Sequence, residues 1–223
     1  MDGTGELFER FIAAAPPGYR AIVLRLPPLA KFDELEAALL PQLPADAFSI
    51  VCESFSGPLG IRLAARASDR VEALIFSNTF ADGPRSPLYA LVPWALAFRF
   101  PPPRWLIRRY LLGRFIDPQN LAAIRVAAVQ TSPKIMARRL IATLHVDDTP
   151  LLRKLRLPML YLRGTEDHLV LDKSVEAMQR ANPAVLRRDV AAPHLLLQTA
   201  AEEAWSKIDA FITISAHRKG GIE

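Results

Sequence analysis

Residues 20 to 80 alternate short apolar, β-branched runs with amphipathic stretches: "RAIVLRLP", "KFDELEAALLPQL", "AFSIVCES", "GPLGIRLAARA" and "VEALIFSNTF". Period-two or continuous apolar runs of this length read as strands, and the intervening 3.6-period segments as helices, so the stretch predicts β-α-β-α-β with strands at 20–27, 47–53 and 71–80. Strands that are apolar on both faces imply a parallel sheet covered by helices on each side. The rhythm returns at "LPMLYLRG" (157–164), a helix at 172–181, "AVLRRDVAA" (184–192) and a last helix from about 200, where Thr199 and Glu202 have the spacing of a capping box.

Between these halves, residues 81–156 hold almost no strand-like sequence. Asp117-Pro118 and Ser132-Pro133 each set an N-cap residue before a proline at the first helical position, which locates two helices. The expected organisation is an α/β core, 1–80 and 157–214, interrupted by a helical insertion at 81–156 and followed by a loose tail at 215–223. The 223 residues suffice for one large core. A net charge of +5 is too modest to make nucleic acid the expected partner, and a lone Cys52 excludes an internal disulfide. The start "MDGTGELFER" lacks the features of a signal peptide, and "PLYALVPWALAF" is too short and too broken by proline to span a bilayer, so the expected location is the cytoplasm.

Ser54 stands at the junction of the strand ending "FSIVC" and the helix that follows, where parallel α/β sheets bind ligands. A serine there serves either as an N-cap or as a nucleophile thrust out by a sharp turn. Small neighbours at Cys52, Ser56 and Gly57 suit the second, although both glycines of the usual Gly-x-Ser-x-Gly pattern are replaced. A nucleophilic hydroxyl needs a base, and the base an orienting group. Of the four histidines, His145 lies in the insertion and His217 in the tail, whereas His168 and His194 follow strands. Ser54, Asp167 and His194 each follow a different strand, in the chain order Ser, Asp, His.

"CESFSGPLGIRLAA", "LYLRGTEDHLV" and "APHLLLQTAAEEAWSKIDAFI" resemble the nucleophile elbow, acid loop and histidine loop of the α/β-hydrolase superfamily. The opening "DGTGELFERFIAAAPPGY" is similar to the segment after the third strand in bacterial members with a Pro-Gly-Leu-Asp-Gly-Thr-Gly oxyanion loop. The resemblance implies a three-layer α/β-hydrolase sandwich with a mainly parallel sheet, a helical lid at 81–156, and serine esterase or lipase-like chemistry. Ser54 would be the nucleophile, His194 the general base and acid, and Asp167 the group orienting the imidazole; Asp82 and Glu166 are the less favoured acids. The backbone N–H of Phe55 would be one oxyanion donor, and Met1 and Asp2 align with the loop that supplies the other. By the same likeness the strand before that loop is absent. Either the strands at 20–27 and 47–53 pair directly or the reading frame starts late, in which case weak activity, low solubility and self-association are expected, with improvement on in-frame extension upstream.

Within the insertion, "FRFPPPRWLIRRYLLGRF" (98–115) carries Arg99, Arg104, Arg108, Arg109 and Arg114 without an acid. An ordinary lid with a solvated basic face is favoured over contact with anionic lipid or docking of an acidic carrier or nucleic acid. The expected function is hydrolysis of a small-molecule carboxylic ester with a hydrophobic acyl group. Thioester or lactone cleavage and acyl transfer use the same machinery, and the alternative from another class is a non-catalytic hydrolase-like binding protein. No organic cofactor is implied, and the histidines and cysteine are too few and scattered for a metal site.

Overall fold

A computed structural model describes residues 1–83 and 92–220. Residues 84–91, which include the start of the apolar stretch at 87–98, and the final 221–223 lie outside the described residues. A parallel four-stranded sheet in the order β1-β2-β3-β4 forms the centre, from β1 (Phe48–Glu53), β2 (Val71–Ser77), β3 (Met159–Gly164) and β4 (Val185–Val190).

The apolar runs become strands because both of their faces are covered. From β2, Leu74 and Phe76 pack with Ile61, Ala64, Val175 and Met178 of the helices Gly57–Arg66 and Asp172–Ala181 on one side. Ala73 and Ile75 face the opposite layer, with Leu160 and Leu162 of β3 and Ala204, Trp205 and Ile208 of the helix Ala201–Gly220. Every residue of β3 is buried, which fits a continuous apolar strand at the middle of a parallel sheet. By contrast β4, a sheet edge, places Arg187, Arg188 and Asp189 along its length, which discourages edge-to-edge pairing.

The segment 20–27 departs from expectation: it forms no strand, and neither does it pair with β1. Its Leu26 N–H donates to Gly3 O at 2.9 Å, while Ile22 and Val23 are 50% and 37% exposed. An apolar run becomes a strand only where another edge supplies ladder partners, and the N-terminal segment supplies one bond here rather than a ladder. On its side away from β2, β1 has no neighbour among the described residues.

The insertion contains the helices Pro118–Gln130 and Pro133–His145 at their expected starts. Asp117 caps the first, its Oδ1 accepting from Asn120 N at 2.8 Å, whereas Ser132 makes no side-chain cap bond. An isolated antiparallel bridge between Asp82 and Asp147 joins the two ends of the insertion near the core. Thr199 does not cap the last helix. It ends the short helix Leu196–Thr199, and its Oγ1 donates to Leu195 O at 2.7 Å, a back-bond that spends the hydroxyl on the preceding turn. The last helix continues to Gly220, through most of the tail expected to be loose.

Candidate active site

β1 delivers Ser54 into a tight turn, Ser54–Ser56, that leads directly into the helix Gly57–Arg66. Ser54 has φ +54°, a left-handed conformation uncommon outside glycine and maintained only where the surroundings hold it. The surroundings do so from several directions. Ser56 Oγ lies 2.8 Å from both Glu53 N and Glu53 O, accepting from the first and donating to the second. Thr79 Oγ1 donates to Ser54 O, and a Cβ at position 57 would collide with that threonine side chain, so Gly57 is needed for the approach. Cys52, where a glycine is usual, finds its space at another glycine: a Cβ on Gly60 would sit 2.6 Å from Cys52 Sγ. Burial pushes the Cys52 thiol well up, so this group is a packing element beside the turn and is poorly suited to act as a thiolate.

The carboxyl ends of the other strands bring two groups to the serine. His194 Nε2 lies 2.8 Å from Ser54 Oγ, and His194 Nδ1 lies 2.9 Å from Asp167 Oδ2. Asp167 is fixed in turn, because its Oδ1 accepts from Leu169 N at 2.7 Å and Val170 N at 3.2 Å. Both Asp167 and His194 are buried. A hydroxyl, an imidazole and a carboxylate in this line form a route for moving the hydroxyl proton onto the imidazole while the carboxylate faces the positive charge that results.

No protein-family model and no curated protein sequence matches the chain. Solved structures do. The enol-lactonase of Burkholderia xenovorans LB400 superposes with a TM-score of 0.75 at 19% identity, covering 95% of this chain and 88% of that one. A thermophilic esterase from Thermogutta terrifontis gives 0.78 at 22% identity over 94% and 85% of the two chains, and MenH from S. aureus gives 0.79 at 16% over 97% and 91%. The chain has the α/β-hydrolase fold.

In α/β-hydrolases the nucleophile elbow stands at the carboxyl edge of the sheet. Ser54, Asp167 and His194 meet at that edge. Of the less favoured acids, Asp82 lies in the backbone bridge to Asp147, and Glu166 Oε1 is 2.8 Å from Arg114. His168, His145 and His217 are exposed, and His217 Nδ1 donates to Thr213 O within its own helix. Phe55, which follows Ser54, is buried with its ring stacked on Phe32 at 5.0 Å. Met1 packs against the same apolar cluster as Phe55.

The N-terminal residues are tied down. Arg139, from the insertion helix Pro133–His145, is 1% exposed and donates from Nη1 to Met1 O at 2.8 Å and Asp2 O at 2.9 Å. Its Nη2 reaches Pro27 O at 2.6 Å and its Nε Leu29 O at 2.9 Å, while the guanidinium carbon lies 6.0 Å from the centre of the Phe55 ring. Thr131 Oγ1 adds a bond to Asp2 O at 2.9 Å.

Sequence reasoning missed Arg139 because it reads as one more cation on a basic insertion. It also missed Asn78 and Glu53. Asn78 Nδ2 donates to Pro193 O at 2.8 Å, and its Oδ1 accepts from Gly164 N at 2.7 Å. Glu53 is buried beside Ser54, its carboxylate accepting from Leu197 N at 3.1 Å, Gln198 Nε2 at 2.9 Å and Ser77 Oγ at 3.2 Å. The available signal was an asparagine and a glutamate at the ends of strands whose other residues are almost all apolar. Among the described residues, no group of three or more His, Cys, Asp or Glu is placed to hold a metal ion, and no helix is long and apolar enough to cross a membrane.

Proposed function

We propose that this protein is a serine hydrolase that cleaves carboxylic esters through a covalent acyl-enzyme. The observation that carries this reading is the continuous line from Ser54 Oγ through both nitrogens of His194 to Asp167 Oδ2, with separations of 2.8 and 2.9 Å. With its proton on Nδ1, held by Asp167, the imidazole presents a free lone pair at Nε2 to the serine O–H. Ser54 Oγ attacks the ester carbonyl carbon as His194 takes the hydroxyl proton, and the carbonyl oxygen becomes an oxyanion facing the Phe55 N–H. The second oxyanion donor in this reading comes from the Met1-Asp2 segment that Arg139 and Thr131 hold. Collapse of the tetrahedral adduct breaks the carbon–oxygen bond to the alcohol, which leaves with the proton from His194. Water then attacks the acyl-serine, again giving its proton to His194, and the carboxylic acid departs as Ser54 recovers its hydrogen. The substrate is a small-molecule ester with a hydrophobic acyl group; the apolar side chains of the insertion support that class.

A fluorophosphonate probe tests the reading on the intact protein. Labelling confined to Ser54, together with hydrolysis of a short p-nitrophenyl ester that disappears in Ser54→Ala, is the expected result. A folded protein that neither labels nor turns over ester would instead be a hydrolase-like binding protein.

A further inference from the structure

The basic segment of the insertion lines one side of a wide-open surface cavity of about 440 Å³, whose other side is the loop carrying Asp167. Trp105, Arg108 and Arg109 line it from the insertion side. Here the helix Arg104–Ile107 passes into a π-helical turn, Arg108–Leu112, which Gly113 ends with φ +56°. That turn is anchored to the histidine loop: Leu195 N donates to Leu111 O at 3.0 Å, and a Cβ on Gly113 would touch Pro193. Single π turns inside helices are frequent at functional sites, because the extra residue redirects the side chains around it.

The charges of this cavity do not balance. Arg114 continues the insertion side of the lining and Glu166 and His168 form the other side, and the one carboxylate, Glu166, is taken by Arg114 at 2.8 Å. Arg108 and Arg109 make no ion pair with any described residue. Two guanidinia with no carboxylate partner among the described residues, that of Arg109 lying over the Tyr110 ring at 5.3 Å from its centre, line one space beside an exposed indole and attract an organic anion. A planar fork of N–H donors fits a carboxylate or phosphate, and Trp105 offers an apolar surface to the carbon chain that bears it. Glu166 and His168 immediately flank Asp167, so whatever fills the cavity lies next to the catalytic loop of the proposed triad.

We infer that this cavity is a binding subsite for an anionic group, a carboxylate or phosphate, carried on the substrate beyond its scissile ester. The inference rests on the serine-hydrolase reading and adds a charge preference to it. Arg108 and Arg109 then act on binding of the anion rather than on the chemical step.

The test compares p-nitrophenyl hemiesters of linear dicarboxylic acids of increasing length with the neutral monoacid esters of matching length. The expected result is a KM at least tenfold lower for the hemiester at the length that spans the two sites, a difference that shrinks with added salt. In Arg108→Gln/Arg109→Gln that advantage is lost, while kcat and KM for the neutral esters stay within about twofold. Equal KM for charged and neutral esters at every length, or a double variant that weakens both alike, overturns the inference while leaving the hydrolase reading intact. Calorimetric titration of the hemiester into Ser54→Ala checks the subsite without turnover. Binding that weakens at least tenfold on adding the two arginine changes supports it, and binding unaffected by them overturns it. Failure of the parent reading shows separately, as absence of both Ser54 labelling and neutral-ester turnover.

Discussion

Asn78 Nδ2 donates a hydrogen bond of 3.0 Å to the carbonyl oxygen of His194, across 116 residues of chain. Asn78 immediately follows β2 in a left-handed conformation, φ +40°, and the same side chain holds Pro193 O and Gly164 N. One buried amide therefore joins the ends of β2 and β3 to the loop that presents the imidazole. Asn78→Ala leaves two acceptors and one donor without their partner, and a lost buried hydrogen bond costs about 1 to 3 kcal/mol. We expect urea unfolding to show a loss of about 3 kcal/mol or more, and kcat per folded molecule to fall by more than tenfold as His194 loses its fixed position. A variant with full stability and full kcat would show that the histidine loop is held by its other contacts alone.

Ser54→Ala and His194→Ala should each remove roughly four or more decades of ester turnover, and the double variant should be no worse than either, because nucleophile and base act as a unit. Asp167→Asn should also be severe, since it removes the carboxylate that orients Nδ1, whereas His168→Ala should leave neutral-ester turnover nearly intact. Steady-state kinetics with one p-nitrophenyl ester across the series decides the ranking. A severe His168→Ala with a mild Asp167→Asn would reassign the roles.

Burial pushes the carboxyl of Glu53 above its usual range; the bonds from Leu197 and Gln198, then nearby His194 and Ser77, pull it down less strongly. Because the folded-state value is the higher one, the folded protein binds the proton more tightly than the unfolded chain. The group is neutral in both states below the unfolded value of about 4.3, and its stability contribution declines as pH rises through the folded-state value. Glu53→Gln removes that decline, and its new amide can donate to Gln198 Oε1, which has no partner among the described residues, once the Gln198 amide turns over. The expected outcome is a Tm difference, variant minus wild type, that grows from pH 4 toward neutrality. A difference independent of pH would mean that Glu53 does not titrate differently on folding.

Arg139 donates to backbone carbonyls in two separate segments, 1–2 and 27–29. In Arg139→Met those acceptors lose their donors, for a destabilisation of about 3 kcal/mol or more, given 1 to 3 kcal/mol for each buried group left unsatisfied. If Met1 and Asp2 supply an oxyanion donor, kcat per folded molecule falls as well, toward the two to three decades associated with losing such a donor, while KM changes little. Arg139→Lys should recover only part of either loss, since one ammonium cannot reproduce the guanidinium's spread of donors. Denaturant unfolding and single-turnover acylation measure the two effects separately. Loss of stability with unchanged acylation would confine Arg139 to a structural role.

The four strands of the sheet, the helices between them, the two main insertion helices and the meeting of Ser54, Asp167 and His194 at one edge were legible in the sequence. Each follows from local patterning and from the rule that parallel strands carry their functional residues at the carboxyl end. Whether residues 20–27 form a strand was not legible there, because an apolar run such as "RAIVLRLP" states a preference for a pleated, half-buried place and cannot state whether an edge is offered. Nor could the sequence distinguish Arg139, whose guanidinium is buried among backbone carbonyls, from Arg108 and Arg109, whose guanidinia have no carboxylate partner among the described residues and line a cavity. All three read alike along the chain. Burial and partners are properties of the assembled layers: a carbonyl from residue 27 and an arginine from residue 139 become neighbours only when the insertion closes over the core, and that packing makes one arginine a structural tie and leaves the others lining an open cavity.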